Sequence, residues 1–151
     1  MRIMEIQAQR AHPTVDSKFE PSQVSVRAKI SGLWAAMLFV FAYVDIFSFY
    51  RPDFRADIEA GRISGFAIGQ SFLLATTIYV VLPSLMVFAT LVMRPGVSRL
   101  ANMGLSVVYA LTIVGGAIGE WNYYLFGSTV EVALLALIFY YARTWPRATE
   151  T

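Results

Sequence analysis

The sequence predicts an all-α integral membrane protein, an antiparallel four-helix bundle with a short interfacial helix between spans one and two. Three observations carry that prediction. From Ile63 to Met93, thirty-one consecutive residues bear no formal charge, more than the roughly 20 helical residues that cross a hydrocarbon core of about 30 Å. The chain is 57% hydrophobic and only 15% charged, with a mean hydropathy of +0.57, whereas a soluble domain carries about 25% charged residues. The charges are also segregated, lying mostly before Lys29, between Arg51 and Arg62, at Arg94 and Arg99, or from Arg143 onward. An all-apolar helix can occupy the centre of a large soluble domain, but 151 residues cannot build the shell that several such helices need.

Residues 1–24 are of mixed character and punctuated by Pro13 and Pro21, which reads as a flexible cytoplasmic tail. The transmembrane domain is expected over 25–147, with spans at about 28–50, 64–93, 99–119 and 128–145, and a C-terminal tail over 148–151. Ser25 is placed to cap a helix that enters the bilayer at Ile30. That apolar run continues into bulky Phe49 and Tyr50, as an uncleaved anchor does and a signal peptide does not. Arg51-Pro52 stops the span, because the residue before proline is biased away from the helical region. Pro52 can then open the short interfacial helix, with Phe54 and Ile58 on one face and Gly61 as its C-cap.

Ser64 is the expected N-cap of span two, and Pro83 supplies a reason for that long helix to bend. Gly65 and Gly69 form a GxxxG pair, as do Gly115 and Gly119 in span three; each pair would permit close helix approach, within the chain or in a homodimer. Length, Pro83 and the Gly65/Gly69 face make span two the expected mast of the bundle. Ser98 is the expected cap of span three. Ser128 and Glu131 match the capping box and would start span four, although a start nearer Trp121 would place Glu131 deeper. Four spans put both termini on one side. Arg27, Lys29, Arg94, Arg99, Arg143 and Arg147 favour a cytoplasmic N- and C-terminus in the bacterial inner membrane, against the contrary pull of Arg51, Arg55 and Arg62.

Composition excludes several chemistries. There is no cysteine, which rules out disulfides and thiolate catalysis or ligation. The single histidine, His12, lies in the polar tail, so no metal site and no cofactor are expected. A net charge of +2 without a basic stripe gives no support to nucleic-acid binding. No nucleophile constellation or phosphate-binding glycine loop is present, so an enzyme is the less favoured class.

Asp45 is the most informative residue, since a carboxylate within a span is costly and is a functional-site candidate by default. The topology brings Glu120 and Glu131 to similar depth from other helices, with Gln70, Trp121 and Tyr124 nearby. One reading is an outward-facing acidic and aromatic pocket that binds a proton, a cation or an unknown small molecule. Carboxylates held close together cannot all stay charged at low cost, so proton exchange is chemically reasonable there. The other reading gives the acids separate structural roles: Glu131 as a cap, Glu120 in solvent, and Asp45 paired with Arg51 or Arg62. The corresponding functions are a small-molecule or proton-linked binding or transport protein, or a non-enzymatic scaffold subunit with a membrane-protein partner. Trp121, Tyr123 and Tyr124 on one side, with Tyr140, Tyr141 and Trp145 on the other, match interfacial belts against membrane lipid.

The run YVDIFSFYRPDF around Asp45, the short acidic helix after it, Asn102, and the segment GEWNYYL together resemble a family of small, uncharacterised four-span bacterial membrane proteins over roughly residues 28–147. That resemblance implies the four-span fold and no particular activity. The general plan, in its span count and polar residues at helix ends, is also similar to DoxX-like membrane proteins. This second likeness implies respiratory or redox partners and places no catalytic residue.

Overall fold

The structure, a computed structural model, describes residues 24–145; His12 and nearly all of the expected N-terminal tail, Arg147 at the end of the expected membrane domain, and the expected C-terminal tail lie outside the described residues. In chain order the elements are α1 (Val26–Ser48), α2 (Pro52–Glu59), β1 (Arg62–Ile63), β2 (Phe66–Ala67), α3 (Gln70–Val92), α4 (Pro95–Gly116) and α5 (Asn122–Arg143). The helices α1, α3, α4 and α5 are each long and apolar enough to cross a membrane. The chain is a multi-pass membrane protein built as a four-helix bundle.

Local chemistry sets most of the boundaries. The Ser25 hydroxyl accepts the Ala28 N–H at 3.2 Å and starts α1. Pro52 opens α2, where its missing N–H costs nothing. Gly61 follows that helix with φ +72, the left-handed conformation that glycine adopts without penalty.

Span two departs from expectation at its start. Ser64 (φ +48) and Gly65 (φ +83) form the two-residue turn of a small antiparallel hairpin, in which Ile63 pairs with Phe66 and Arg62 with Ala67. A two-residue loop with both φ values positive matches the twist of the strands it joins. Ser64 therefore caps nothing, and α3 begins at Gln70 after an extended Gly69. Gly65 sits in the turn and not on a helix, so the Gly65/Gly69 pair forms no helix-packing face.

Spans three and four also begin earlier than expected. Arg94 precedes α4 and Pro95 takes its first position, leaving Ser98 buried inside the helix. Helix α5 starts just after Trp121, and both Ser128 and Glu131 lie buried within it. A start at Ser128 would leave only sixteen residues to Arg143, about 24 Å at 1.5 Å per residue and too short for the hydrocarbon. Spanning length overrides the capping-box signal. Gly115 is exposed on α4, Gly119 lies beyond its end with φ +85, and an added Cβ at either would meet nothing within 4 Å. Neither glycine closes a helix contact within the chain.

The close approach is at Gly127 instead, where an added Cβ would collide with the Cγ2 of Val44 on α1. Small residues at such crossings let two backbones pack where the hydrophobic effect gives little help. Helix α1 packs on α5 and α3, α4 packs on α5, and α3 touches α4 much less extensively. Helix α3 is the least buried of the four, so the uncharged span stands at the edge of the bundle and α1 and α5 form its centre. The core comprises Ile30, Trp34, Met37, Met86, Tyr109, Ile113, Leu135, Ile138 and Ala142.

Candidate functional site

The bundle has two unlike halves. In the half toward the termini, polar side chains are buried and satisfied. Trp34 Nε1 donates to Asn102 Oδ1 at 2.6 Å, and Thr90 Oγ1 donates to the same oxygen at 3.2 Å. Asn102 Nδ2 in turn donates to the Ser98 carbonyl at 2.8 Å and lies 3.2 Å from its hydroxyl. One amide thus ties α1, α3 and α4 together in a region where an unmet hydrogen bond would be costly. Ser31 adds a bond from α1 to the Val87 carbonyl at 2.6 Å.

Pro83 explains another tie. Lacking an N–H, it leaves the carbonyl four residues earlier, that of Tyr79, without its helical donor. The Tyr109 hydroxyl fills the gap from α4 at 2.5 Å, and the Tyr79 hydroxyl meets Thr112 Oγ1 at 2.7 Å. At the terminal end, Arg27 donates to the Leu91 carbonyl at 2.6 Å and Arg99 to that of Arg143 at 3.1 Å. Both acceptors are in last turns of helices, where cations are favoured.

At the hairpin end, Arg51 organises the surface. Its Nε and Nη2 grip Asp53 at 3.2 and 2.6 Å, its Nη1 pairs with Glu120, and its guanidinium lies 4.8 Å from the Trp121 ring centre. Hydrogen bonds from Arg51 hold the Asp53 carboxyl below the usual carboxylate range. Hydrogen bonding to Asp53 and Glu120 pushes Arg51 further toward its charged form. This clamp corrects three expectations: Arg51 partners Glu120 and Asp53 instead of Asp45, and Glu120 and Trp121 belong to the clamp instead of an acidic pocket. Arg62 is exposed and makes no ion pair among the described residues. Gln70 is exposed at the start of α3 with no side-chain hydrogen bond.

Asp45 and Glu131 remain, on α1 and α5, the two helices that meet where Val44 packs against Gly127. The Tyr124 hydroxyl sits beside Gly116 of α4. Asp45 is exposed near the end of α1, whereas Glu131 is 2% exposed in the body of α5. Its Oε1 has no hydrogen-bond partner. Neither acid forms an ion pair among the described residues.

A groove of about 560 Å³ lies along α3 and the hairpin, lined by Phe66, Ala67, Phe72, Ala75, Thr76 and Tyr79. The Phe41 ring packs 6.0 Å from that of Tyr79. Asp45 is four residues beyond Phe41 and so shares its face of α1. Because α1 and α3 run antiparallel, one turn from Phe41 toward the hairpin corresponds to one turn from Tyr79 toward Ala75 and Thr76. Asp45 is thereby placed at the level of Ala75 and Thr76 along the bundle, and it is not among the residues that line the groove.

Two carboxylates are fewer ligands than a resident divalent ion uses, and among the described residues no cluster of three His, Cys, Asp or Glu could complete such a site. Tyr79, Tyr109, Trp34 and Thr90 were not singled out by the sequence. For Tyr79 and Tyr109 a signal existed, since Pro83 marks an orphaned carbonyl at Tyr79 and a tyrosine on a neighbouring span can supply its donor.

Residues 19–151 match the model of a family of unknown function, DUF6326. The chain belongs to this family. No curated protein and no solved structure matches it.

Proposed function

We propose that this chain is a proton-linked small-molecule binding protein, with Asp45 and Glu131 as its working pair. The observation that supports this reading most directly is the Glu131 Oε1, buried within a span without a hydrogen-bond partner. A purely structural acid in a span would be paired or hydrogen-bonded, since an isolated buried charge is expensive. A proton held on Glu131 removes that cost. Neither Glu131 nor Asp45 makes an ion pair among the described residues.

Binding is favoured over free passage because the half toward the termini is filled by Trp34, Thr90 and Asn102 in mutual hydrogen bonds. Transport would require that network to open. The scaffold reading draws support from the Arg51 clamp, which fixes α2 and the α4–α5 connection as a rigid surface. The membrane proposed is the bacterial inner membrane with both termini cytoplasmic, on the strength of Arg27, Lys29, Arg94, Arg99 and Arg143 at that end.

The test is a pH titration of the protein in lipid, followed by difference infrared spectroscopy. A carboxylic-acid band that titrates in the wild type and is lost in Glu131→Gln is expected. An identical band in Glu131→Gln and Asp45→Asn, or no band at all, would reject the proposal in favour of the scaffold.

A further inference from the structure

We infer that the groove along α3, together with Arg62 of the hairpin, seats one anionic phospholipid from the surrounding bilayer, with its phosphate at Arg62 and an acyl chain along the groove. The site stands apart from Asp45 and Glu131, neither of which lines the groove, and it goes beyond the proton-binding reading.

The register of the hairpin joins the charge to the groove. Arg62 pairs with Ala67 across the two strands, and residues directly opposite in an antiparallel pair project from the same face. Ala67 is part of the groove lining, so Arg62 stands at its mouth. This arginine is exposed and makes no ion pair among the described residues, unlike Arg51, which Asp53 and Glu120 hold. Beyond Ala67 the chain enters α3 through an extended Gly69, and no side chain caps the helix. The N–H groups of its first turn are open to an acceptor at the positive end of the helix dipole, and Ser71 of that turn lines the groove.

Below this polar mouth the lining is largely apolar. Phe66 of the hairpin stacks on Phe72 of α3 with ring centres 6.3 Å apart, and Ala75 and Tyr79 continue the wall along the helix. The backbone of Tyr79 is held by Tyr109 and its hydroxyl by Thr112, so the far end is set before any ligand arrives. Pre-set geometry lowers the ordering cost of binding. The groove holds about 560 Å³, within the range of small-molecule sites. From Ser71 to Tyr79 the helix rises about 12 Å at 1.5 Å per residue, so the groove runs in the direction an acyl chain takes from its head group. Because α3 is the least buried span, hydrocarbon reaches the groove directly.

Charge and apolar surface together select the occupant. A cation would meet Arg62 at the mouth. A zwitterionic lipid would bring its own ammonium group to the same place. A soluble anion would satisfy the arginine and leave Phe66, Phe72 and Tyr79 uncovered. An anionic phospholipid meets Arg62 with its phosphate and the aromatic wall with its chain. Asp57 and Glu59, the acids of α2, make no ion pair with Arg62, so they do not take the place of the phosphate. Asp45 lies at the level of Ala75, about 6 Å deeper than Ser71 at 1.5 Å per residue, and so away from the head group.

The test uses the full chain in nanodiscs holding equal amounts of phosphatidylglycerol and phosphatidylcholine with the same acyl chains, released into a native mass spectrometer. Both lipids carry a phosphodiester, and only the second carries an ammonium group. The expected result is one retained phosphatidylglycerol per chain, favoured over phosphatidylcholine by about fivefold or more, the scale of one arginine at an anionic surface. Arg62→Gln removes that preference. Arg55→Gln, at an exposed arginine of α2 without an ion pair among the described residues, leaves it in place. Ala75→Trp fills the exposed groove, keeps Arg62 and lowers retention of the lipid. The inference is overturned if the wild type retains the two lipids equally or retains neither, if Arg62→Gln and Arg55→Gln act alike, or if Ala75→Trp has no effect. None of these outcomes bears on the infrared titration of Glu131, so the two proposals fail separately.

Discussion

The hydroxyl of Tyr109 donates a 2.5 Å hydrogen bond to the carbonyl of Tyr79, the acceptor that Pro83 leaves without a donor in its own helix. A tyrosine on α4 thus completes the backbone of α3 across an otherwise sparse contact. In a membrane this matters because no water in the hydrocarbon core can fill the gap.

Tyr109→Phe keeps the ring and removes that donor, so it should destabilise the bundle by about 1–3 kcal/mol, the cost of leaving a buried acceptor unmet. Pro83→Ala returns an N–H to the helix and should recover most of this loss in the double variant. Thermal unfolding in a mild detergent, arranged as a double-mutant cycle, measures both. Additive effects of the two substitutions would contradict the proposed link.

At the α1–α5 crossing, Gly127→Ala forces a methyl group against Val44. Both residues lie in helices at the centre of the bundle, where overpacking typically costs about 1–3 kcal/mol. Val44→Ala in the same chain should relieve the clash and restore part of the stability. By contrast, Gly115→Ala, with open space around it, should unfold like the wild type.

The clamp at the hairpin end carries a pH dependence whose sign follows from Asp53. Hydrogen bonds from Arg51 lower the folded pKa of this carboxyl, so the folded state holds its proton less tightly than the unfolded chain does. Its contribution is present above the ordinary aspartate value of about 3.9 and is lost as pH falls through the lower folded value. The protection of α2 amides against hydrogen exchange in lipid, taken relative to the intrinsic exchange rate at each pH, should fall on acidification in the wild type. Asp53→Asn should exchange faster at neutral pH and show less of that acid response.

Much of the fold was legible because the bilayer imposes a length on each span and because proline and serine leave local marks. Ser25 and Pro52 act as their positions suggest. The misplacements share a cause: Ser64, Ser98 and Ser128 each carry a capping signal, and at each a stronger constraint decides. For Ser64 it is the geometry of a tight hairpin turn, and for Ser128 the need for a helix long enough to cross. Gly127 escaped notice because spacing motifs mark glycines and cannot tell which ones face another helix. In the candidate site, Asp45 and Glu131 were readable as charges in apolar surroundings. The removal of Glu120 was not, because Arg51 lies sixty-nine positions away and two nearby acids could both have claimed it.

The pairing of α1 with α5 also has a bearing on biogenesis. The first of these four spans in chain order finds its most extensive partner in the fourth, so Val44 must wait for Gly127 through the synthesis of everything between. Until α5 emerges, the surface that Gly127 will cover is open to lipid or to whatever escorts nascent spans. Closure of the bundle is thereby a late event, set by the longest loop the chain has to draw shut. A product cut short before Asn122 would hold three spans and no centre.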